Sequence, residues 1–359
     1  VSAQQVIETF ENWRDRGEWL ALATVVETAG STYTKAGHRI IINDSGQFQG
    51  LVSGGCLEGD LAAHARDVIA SETPQLLTYD LRGEADELFG LGIGCNGMFR
   101  VLLQALTPQT GYQPFASIVT CLQGSELAAV ATVTESADPG TPPGATLVFS
   151  GSEAQSFRIP ESLVNDVRAG CASLLQDPRP VTRTHVRREH PVQVLYAPLW
   201  PLPRLLVLGA SLDAVPLVNM AAQLGWRVTV VDHRPANLAR RDLASAEDLQ
   251  RVVPAELAAG VRLSQFDAAV VMSHHLDSDR NYLRALAGTP IRYLGLLGPI
   301  GRRDRLLADL GTDAERLRGR LHAPIGLPIG ADSPETIALA ILAEIQTVFA
   351  RQRAAVKAA

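Results

Sequence analysis

Four short apolar runs between residues 204 and 298 constrain the fold of this chain more than any other feature. They are RLLVLG (204–209), RVTVVD (227–232), AAVVMS (268–273) and RYLGLLG (292–298), with helical patterns such as DAVPLVNMAAQLG between them. A strand that is apolar at nearly every position needs cover on both faces, and a parallel sheet between two layers of helices supplies it. The expected class is therefore α/β for about 201–350. The helix SPETIALAILAEIQTVFA closes the block, with Ser333 as N-cap and Pro334 at the first helical position. The tail RQRAAVKAA (351–359) offers little apolar surface and is expected to be flexible.

GASLDA (209–214) follows the first run and opens a helix, and Asp232 ends the second run. That is the context of a dinucleotide fingerprint, which makes the block Rossmann-like. Gly209, Ser211, Asp232 and Arg234 are then candidate nucleotide-binding residues, since helix amides favour a phosphate. Ser211 departs from the pattern, because it stands where a glycine lets a pyrophosphate reach the backbone. Other loops meet the same sheet end: SHHLDSD with His274 and His275, GPIGRRDR with Arg302 and Arg303, and PIGLPIGADS (324–333). The two arginines suit phosphate or a solvated helix face equally, and the two histidines suit loop hydrogen bonding better than a zinc site.

The first 200 residues read as α+β. In 1–107, helices at 5–16 and 60–71 accompany strands ALATVVETA, HRIIIN, GQFQGLVS and FRVLLQAL. TPQTGYQP follows as a linker. In 108–200 the stretch AVATVTESADPGTPPGATLVFS (129–150) lines up with ALATVVETAGSTYTKAGHRIII (21–42), with Gly144 answering to Gly37. A strand–loop–strand repeat is the simplest reading. The second copy lacks Lys35, Arg39 and the SGGC element, which marks these as candidates for function rather than fold.

The chain has four cysteines and no CxxC pair, against both a disulfide framework and a four-ligand structural zinc site. Cys56 lies in VSGGCLEGD (52–60) at the start of a helix, where dipole and backbone amides favour a thiolate. Gly54 and Gly55 leave room for a ligand. Cys95 lies in a second Gly-rich turn, GLGIGCNG (90–97), and the two turns together would offer two sulfur donors. Lys35 and Arg39 add positive charge for an anion. Cys121 and Cys171 read as core. A net charge of −6 with no basic stripe argues against nucleic acid. No apolar run spans a membrane and no signal-peptide pattern opens the chain, so the expected location is the cytoplasm.

The order GSTYTKAGHR, SGGCLE, GLGIGCNG and a Rossmann block ending in PIGLPIGADSPETIALAILAEI resembles the XdhC/CoxI family. These are accessory proteins for molybdenum hydroxylases of the xanthine dehydrogenase type. The resemblance implies a molybdenum-cofactor chaperone, without turnover of its own. Such a protein holds the cofactor, as molybdopterin or its dinucleotide form, while a cysteine desulfurase-type sulfurtransferase installs its terminal sulfur. It then hands the cofactor to the apo-molybdoenzyme. By that similarity Cys56 is the cofactor-binding candidate and a molybdenum ligand, joined by Gly54, Gly55, Glu58, Lys35 and Arg39. If both blocks share one ligand, the SGGC turn would face the Rossmann crevice within one chain or across a homodimer. The alternative is an NAD(P)-dependent oxidoreductase built on GASLDA and Asp232, although no Tyr–Lys or His acid–base pair stands ready for hydride chemistry.

Overall fold

The computed structural model describes residues 2–55, 57–82 and 97–355. The chain divides into two compact units, 1–201 and 202–359.

The first unit opens with α1 (Ala3–Asp15), where Ser2 and Gln5 form a reciprocal capping box. Val6, Ile7, Phe10 and Trp13 recur at helical spacing and are buried. Then come β1 (Leu20–Gly30), β2 (Arg39–Asn43), β3 (Phe48–Gln49), α2 (Glu58–Ser71), β4 (Gln75–Asp80) and β5 (Gly97–Leu106). They make an antiparallel sheet in the order β3-β2-β1-β5-β4. Ala21, Ala23, Val25, Ile40 and Ile42 pack on one face with Leu61, Ala65 and Val68 of α2.

The same succession follows at once: α3 (Phe115–Gln123), β6 (Ala128–Ser136), β7 (Thr146–Ser150), β8 (Glu153–Phe157), α4 (Glu161–Gln176), β9 (Val181–Arg187) and β10 (His190–Leu199). Its sheet order, β8-β7-β6-β10-β9, repeats the first. The resemblance of 21–42 to 129–150 is thus the visible part of a longer duplication. Local detail agrees: the Val25 amide bonds the His38 carbonyl and the Gly37 amide the Val25 carbonyl, while Val133 bonds Ala145 and Gly144 bonds Val133. Both glycines have positive φ, +90° and +82°. Both central strands also slip register there, between Val25 and Glu27 and between Val133 and Glu135. The two sheets meet through Val26, Leu102 and Leu195, and Arg100 joins them by binding Glu27 (3.1 Å) and Glu135 (2.9 Å).

The second unit holds β11 (Arg204–Leu208), α5 (Ala214–Gln223), β12 (Arg227–Asp232), β13 (Asp248–Arg251), β14 (Ala268–Val271), α6 (Leu276–Ala287), β15 (Tyr293–Leu296), α7 (Ile300–Leu310), β16 (Leu321–His322) and α8 (Pro334–Ala355). The six strands are parallel, in the order β13-β12-β11-β14-β15-β16. This is the order of dinucleotide-binding sheets, reversing between β11 and β14. The alternation along β11 shows why the runs are continuously apolar. Leu205 and Val207 join one core with α5 and α8, whereas Leu206 and Leu208 join the other with α6 and α7.

Two expectations change. GQFQGLVS forms only the two-residue strand Phe48–Gln49. Gly50, at φ +119°, turns the chain over Ile40, and the amides of Val52 and Ser53 go to a side chain instead of a neighbouring strand. The expected flexible tail is helical as far as Ala355, because α8 propagates through good helix formers, and 356–359 lie outside the described residues. No helix among the described residues is long and apolar enough to cross a membrane.

Candidate functional site

Two sequence motifs, and the last residue of a third, meet at one end of the first sheet. The Thr34 hydroxyl donates to the Val52 carbonyl at 2.8 Å, tying GSTYTKAGHR to the turn that carries Gly54 and Gly55. Gly97, the last residue of GLGIGCNG, packs on the same loop. A Cβ there would lie 2.3 Å from the Ser31 carbonyl oxygen and 2.8 Å from Thr32 Cγ2. Cys56 and Cys95 lie outside the described residues, so the turns around them are described only by their neighbours.

Glu58 organises the turn. Its side chain is 0% exposed. Oε1 accepts the amides of Val52 (2.7 Å) and Ser53 (3.0 Å), and Oε2 accepts the Ser53 hydroxyl (3.0 Å) and the amides of Gly55 (3.0 Å) and Leu57 (3.1 Å). Burial pushes its pKa up, but these donors outweigh burial and hold the carboxyl below its ordinary value. The amides of Val52, Ser53, Gly55 and Leu57 are therefore turned onto Glu58. What this leaves open is the outer side of Gly54 and Gly55. Both have positive φ, +86° and +117°, both are exposed, and a Cβ on Gly55 would meet nothing within 4 Å among the described residues. Tyr33 stands next to Gly54 and is 70% exposed.

The positive charges separate. Lys35 is exposed, with Nζ on Thr32 Oγ1 at 3.0 Å. Arg39 is cross-strand from Thr24, which is cross-strand from Leu102, so Arg39 shares the face on which the sheets meet. That face is opposite Ile40, Ile42 and the α2 core. Half-buried, Arg39 bonds the Gly37 carbonyl at 2.9 Å and makes no ion pair among the described residues; burial lowers its pKa to about 10. In the second copy Thr146 makes the same bond, to the Gly144 carbonyl at 3.0 Å. A threonine thus suffices for the structural task. His38, not singled out from the sequence, is bonded to the Leu51 backbone behind the turn. Its Nε2 is buried without a partner among the described residues, and burial lowers its pKa.

The duplication isolates what was added. Between β3 and α2 lie residues 50–57, whereas Arg158, Ile159 and Pro160 suffice between β8 and α4. Between β4 and β5 lie residues 81–96, against Arg188 and Glu189 between β9 and β10. Both cysteine motifs fall in connections that are longer in the first copy than in the second.

At the carboxyl end of the parallel sheet, Gly209 has φ +117° and packs on Met272 and Ser273. Asp232 is 1% exposed. Oδ1 accepts the Arg234 amide (2.8 Å) and Nε (2.9 Å); Oδ2 accepts the Ala210 amide (2.8 Å), Arg234 Nη2 (2.7 Å) and Asn237 Nδ2 (3.2 Å). Burial acts upward on its pKa, yet these donors hold it well below the carboxylate range. Ser211 Oγ donates to Asp213 at 2.6 Å, and Asp213 bonds His274 Nε2 at 2.7 Å. The histidine pair thus serves loop hydrogen bonding, with His275 Nδ1 near Ser278 Oγ at 3.4 Å. Arg302 is bound to buried Asp279, and Arg303 to Asp304 and the Ala323 carbonyl. Beside them, Pro299, Pro324, Pro328, Gly326 and Gly330 help line an apolar groove of about 650 Å³. Cys171 is core, its thiol pushed by burial up to about 12; Cys121 is half-buried and lines a cavity instead. Among the described residues no cluster could hold a metal ion.

Comparison with known proteins agrees with this layout. Residues 205–345 match the family model described as the XdhC Rossmann domain, and residues 13–80 match that of the XdhC and CoxI family. The chain is 31% identical over 340 residues to a probable xanthine dehydrogenase subunit from Bacillus subtilis, covering 94% of this chain and 95% of the relative. It is 24% identical over 339 residues to the molybdenum cofactor insertion chaperone PaoD of Escherichia coli, covering 94% and 85%. A solved structure described as a xanthine dehydrogenase from Bacillus halodurans superposes with a TM-score of 0.77 at 26% identity, covering 97% of this chain and 96% of the other. A chain with these three motif turns, this Rossmann unit and a relative so similar along its full length belongs to the XdhC and CoxI family.

Proposed function

We propose that this protein is a molybdenum-cofactor chaperone that carries the cofactor as cargo to a molybdoenzyme of the xanthine dehydrogenase type. The observation that carries the reading is the junction of two motif segments through Thr34 and Val52, with Gly97, which ends the third, packed against Ser31. The described residues fit such a cargo. Gly54 and Gly55 present an exposed, side-chain-free edge, and the Tyr33 ring beside them offers a flat apolar face for a pterin. Lys35 is an exposed cation for the cargo's phosphate, and Arg39 is a second cation whose bond to the Gly37 carbonyl a threonine replaces in the second copy. Cys56 follows Gly55 directly, and a thiolate there is a soft donor suited to molybdenum. The relative named as a cofactor insertion chaperone, similar along most of its length, supports the same reading.

The bound cargo would supply no chemistry to this chain. The protein's part is to bind, shield and release it, and to present its terminal sulfur position to a sulfurtransferase before transfer. Asp232, saturated by its neighbours, lends no support to the alternative of an NAD(P)-dependent oxidoreductase. A transfer assay tests the proposal. Protein purified from cells making the cofactor is mixed with an apo-molybdoenzyme of the xanthine dehydrogenase type, and regained hydroxylase activity is followed. Activation that depends on this protein is expected; an apo-enzyme activated equally well without it would overturn the reading.

A further inference from the structure

The second unit has the strand order, the glycine turn and the acidic strand end of a dinucleotide-binding domain, yet the carboxylates beside its phosphate and ribose positions are both tied within the protein. The first position is the helix N-terminus. In such sheets the opening turn of the helix after the first strand receives a pyrophosphate, attracted by free amides and the positive end of the dipole. Here Asp213 stands directly before Ala214, the first residue of α5; its carboxylate bonds none of the helix amides, but it sets a negative charge beside the place where phosphate would gain most. It is fixed there from two sides, by Ser211 Oγ at 2.6 Å and by His274 Nε2 at 2.7 Å. His274 reaches it only by adopting φ +62°, a conformation L side chains rarely take. Ser211 is also the residue whose side chain replaces the middle glycine of the fingerprint. The second position is the acceptor for ribose hydroxyls. The two oxygens of Asp232 already take five donated hydrogen bonds, which exhausts the lone pairs of a carboxylate.

We infer that Asp213, held by Ser211 and His274, closes the phosphate site of this Rossmann unit, so that it takes no pyrophosphate-bearing dinucleotide. The sheet has kept the topology and turned its ligand-binding residues into internal ties. The conclusion is independent of the chaperone reading. It adds to that reading that the pyrophosphate of a dinucleotide cargo would not be held at α5.

Calorimetric titration of the full chain with NAD⁺, NADP⁺ and inorganic pyrophosphate tests this. The parent protein is expected to show no saturable binding below about 1 mM. Asp213→Asn keeps the size and the hydrogen-bonding reach of the side chain but removes its charge, and Asp213→Ser removes both charge and bulk. Each is expected to gain affinity for pyrophosphate by at least about tenfold, while Ser211→Gly, which removes one of the two ties but keeps the charge, gains less. Melting curves establish that the variants are folded. Micromolar binding of any of the three ligands by the parent would overturn the inference. So would folded Asp213 variants as unresponsive as the parent, or a gain from Ser211→Gly alone.

Discussion

Glu58 shows how a motif carboxylate can be spent on holding its own turn. The sequence places a carboxylate at a helix start beside SGGC, and the family resemblance counts it with the cofactor binders. Its five donors among the described residues, all from the turn or its flank, became visible only in three dimensions. Glu58→Gln puts an NH₂ group against amide donors, and we expect a loss of about 2–3 kcal/mol in denaturant unfolding. The pH dependence has a definite sign. A carboxyl held below its unfolded value of about 4.3 stabilises the fold above that pH. The contribution is lost as pH falls through the lowered folded value, and in Glu58→Gln this part of the acid transition should vanish. A variant as acid-sensitive as the parent would show that other carboxyls dominate. Tyr33 is argued from its exposed ring next to Gly54. Tyr33→Leu should weaken pterin retention about tenfold while Tyr33→Phe preserves it; equal loss in both would assign the effect to the hydroxyl instead. Arg39 was legible as a positive charge in a motif, but not its facing. Strand alternation sets it on the seam between the sheets, away from the α2 side. Because Thr146 fills its structural role in the second copy, Arg39→Thr should melt no lower than the parent; a drop of several degrees would mean that the guanidinium is structural after all.

At the scale of elements, the duplication decides what is scaffold and what is device. Sequence showed it only where strands β1–β2 and β6–β7 keep the Ala-Thr-Val pattern and the positive-φ glycine. The helices and outer strands diverged, since any residues with the right apolar period satisfy them. The motif turns are insertions relative to the second copy, so removing one should spare the fold. Replacing residues 81–96 by the Arg-Glu turn that joins β9 and β10 is expected to leave the circular dichroism and cooperative melting intact and to abolish cofactor retention. Unfolding on replacement would make that segment part of the core. The short β3 has the same lesson in reverse. GQFQGLVS alternates like a strand, but Gly50 and Glu58 divert its second half into the turn.

At the scale of the molecule, the parallel sheet was the most legible part, because strands buried on both faces leave continuous apolar runs. The edges β13 and β16 were not, since DLQR is polar and Leu321–His322 is too short to show a period. The second unit has complete cores on both faces of its sheet. The central claim, however, concerns the first unit: its motif turns hold the cargo. The most direct measurement is the molybdenum and pterin bound to the full chain purified from cells that make the cofactor, compared with Cys56→Ala. The parent should retain both, and Cys56→Ala, equally folded, should retain at least about tenfold less. Equal retention by the two proteins would contradict the assignment of the cargo to this turn.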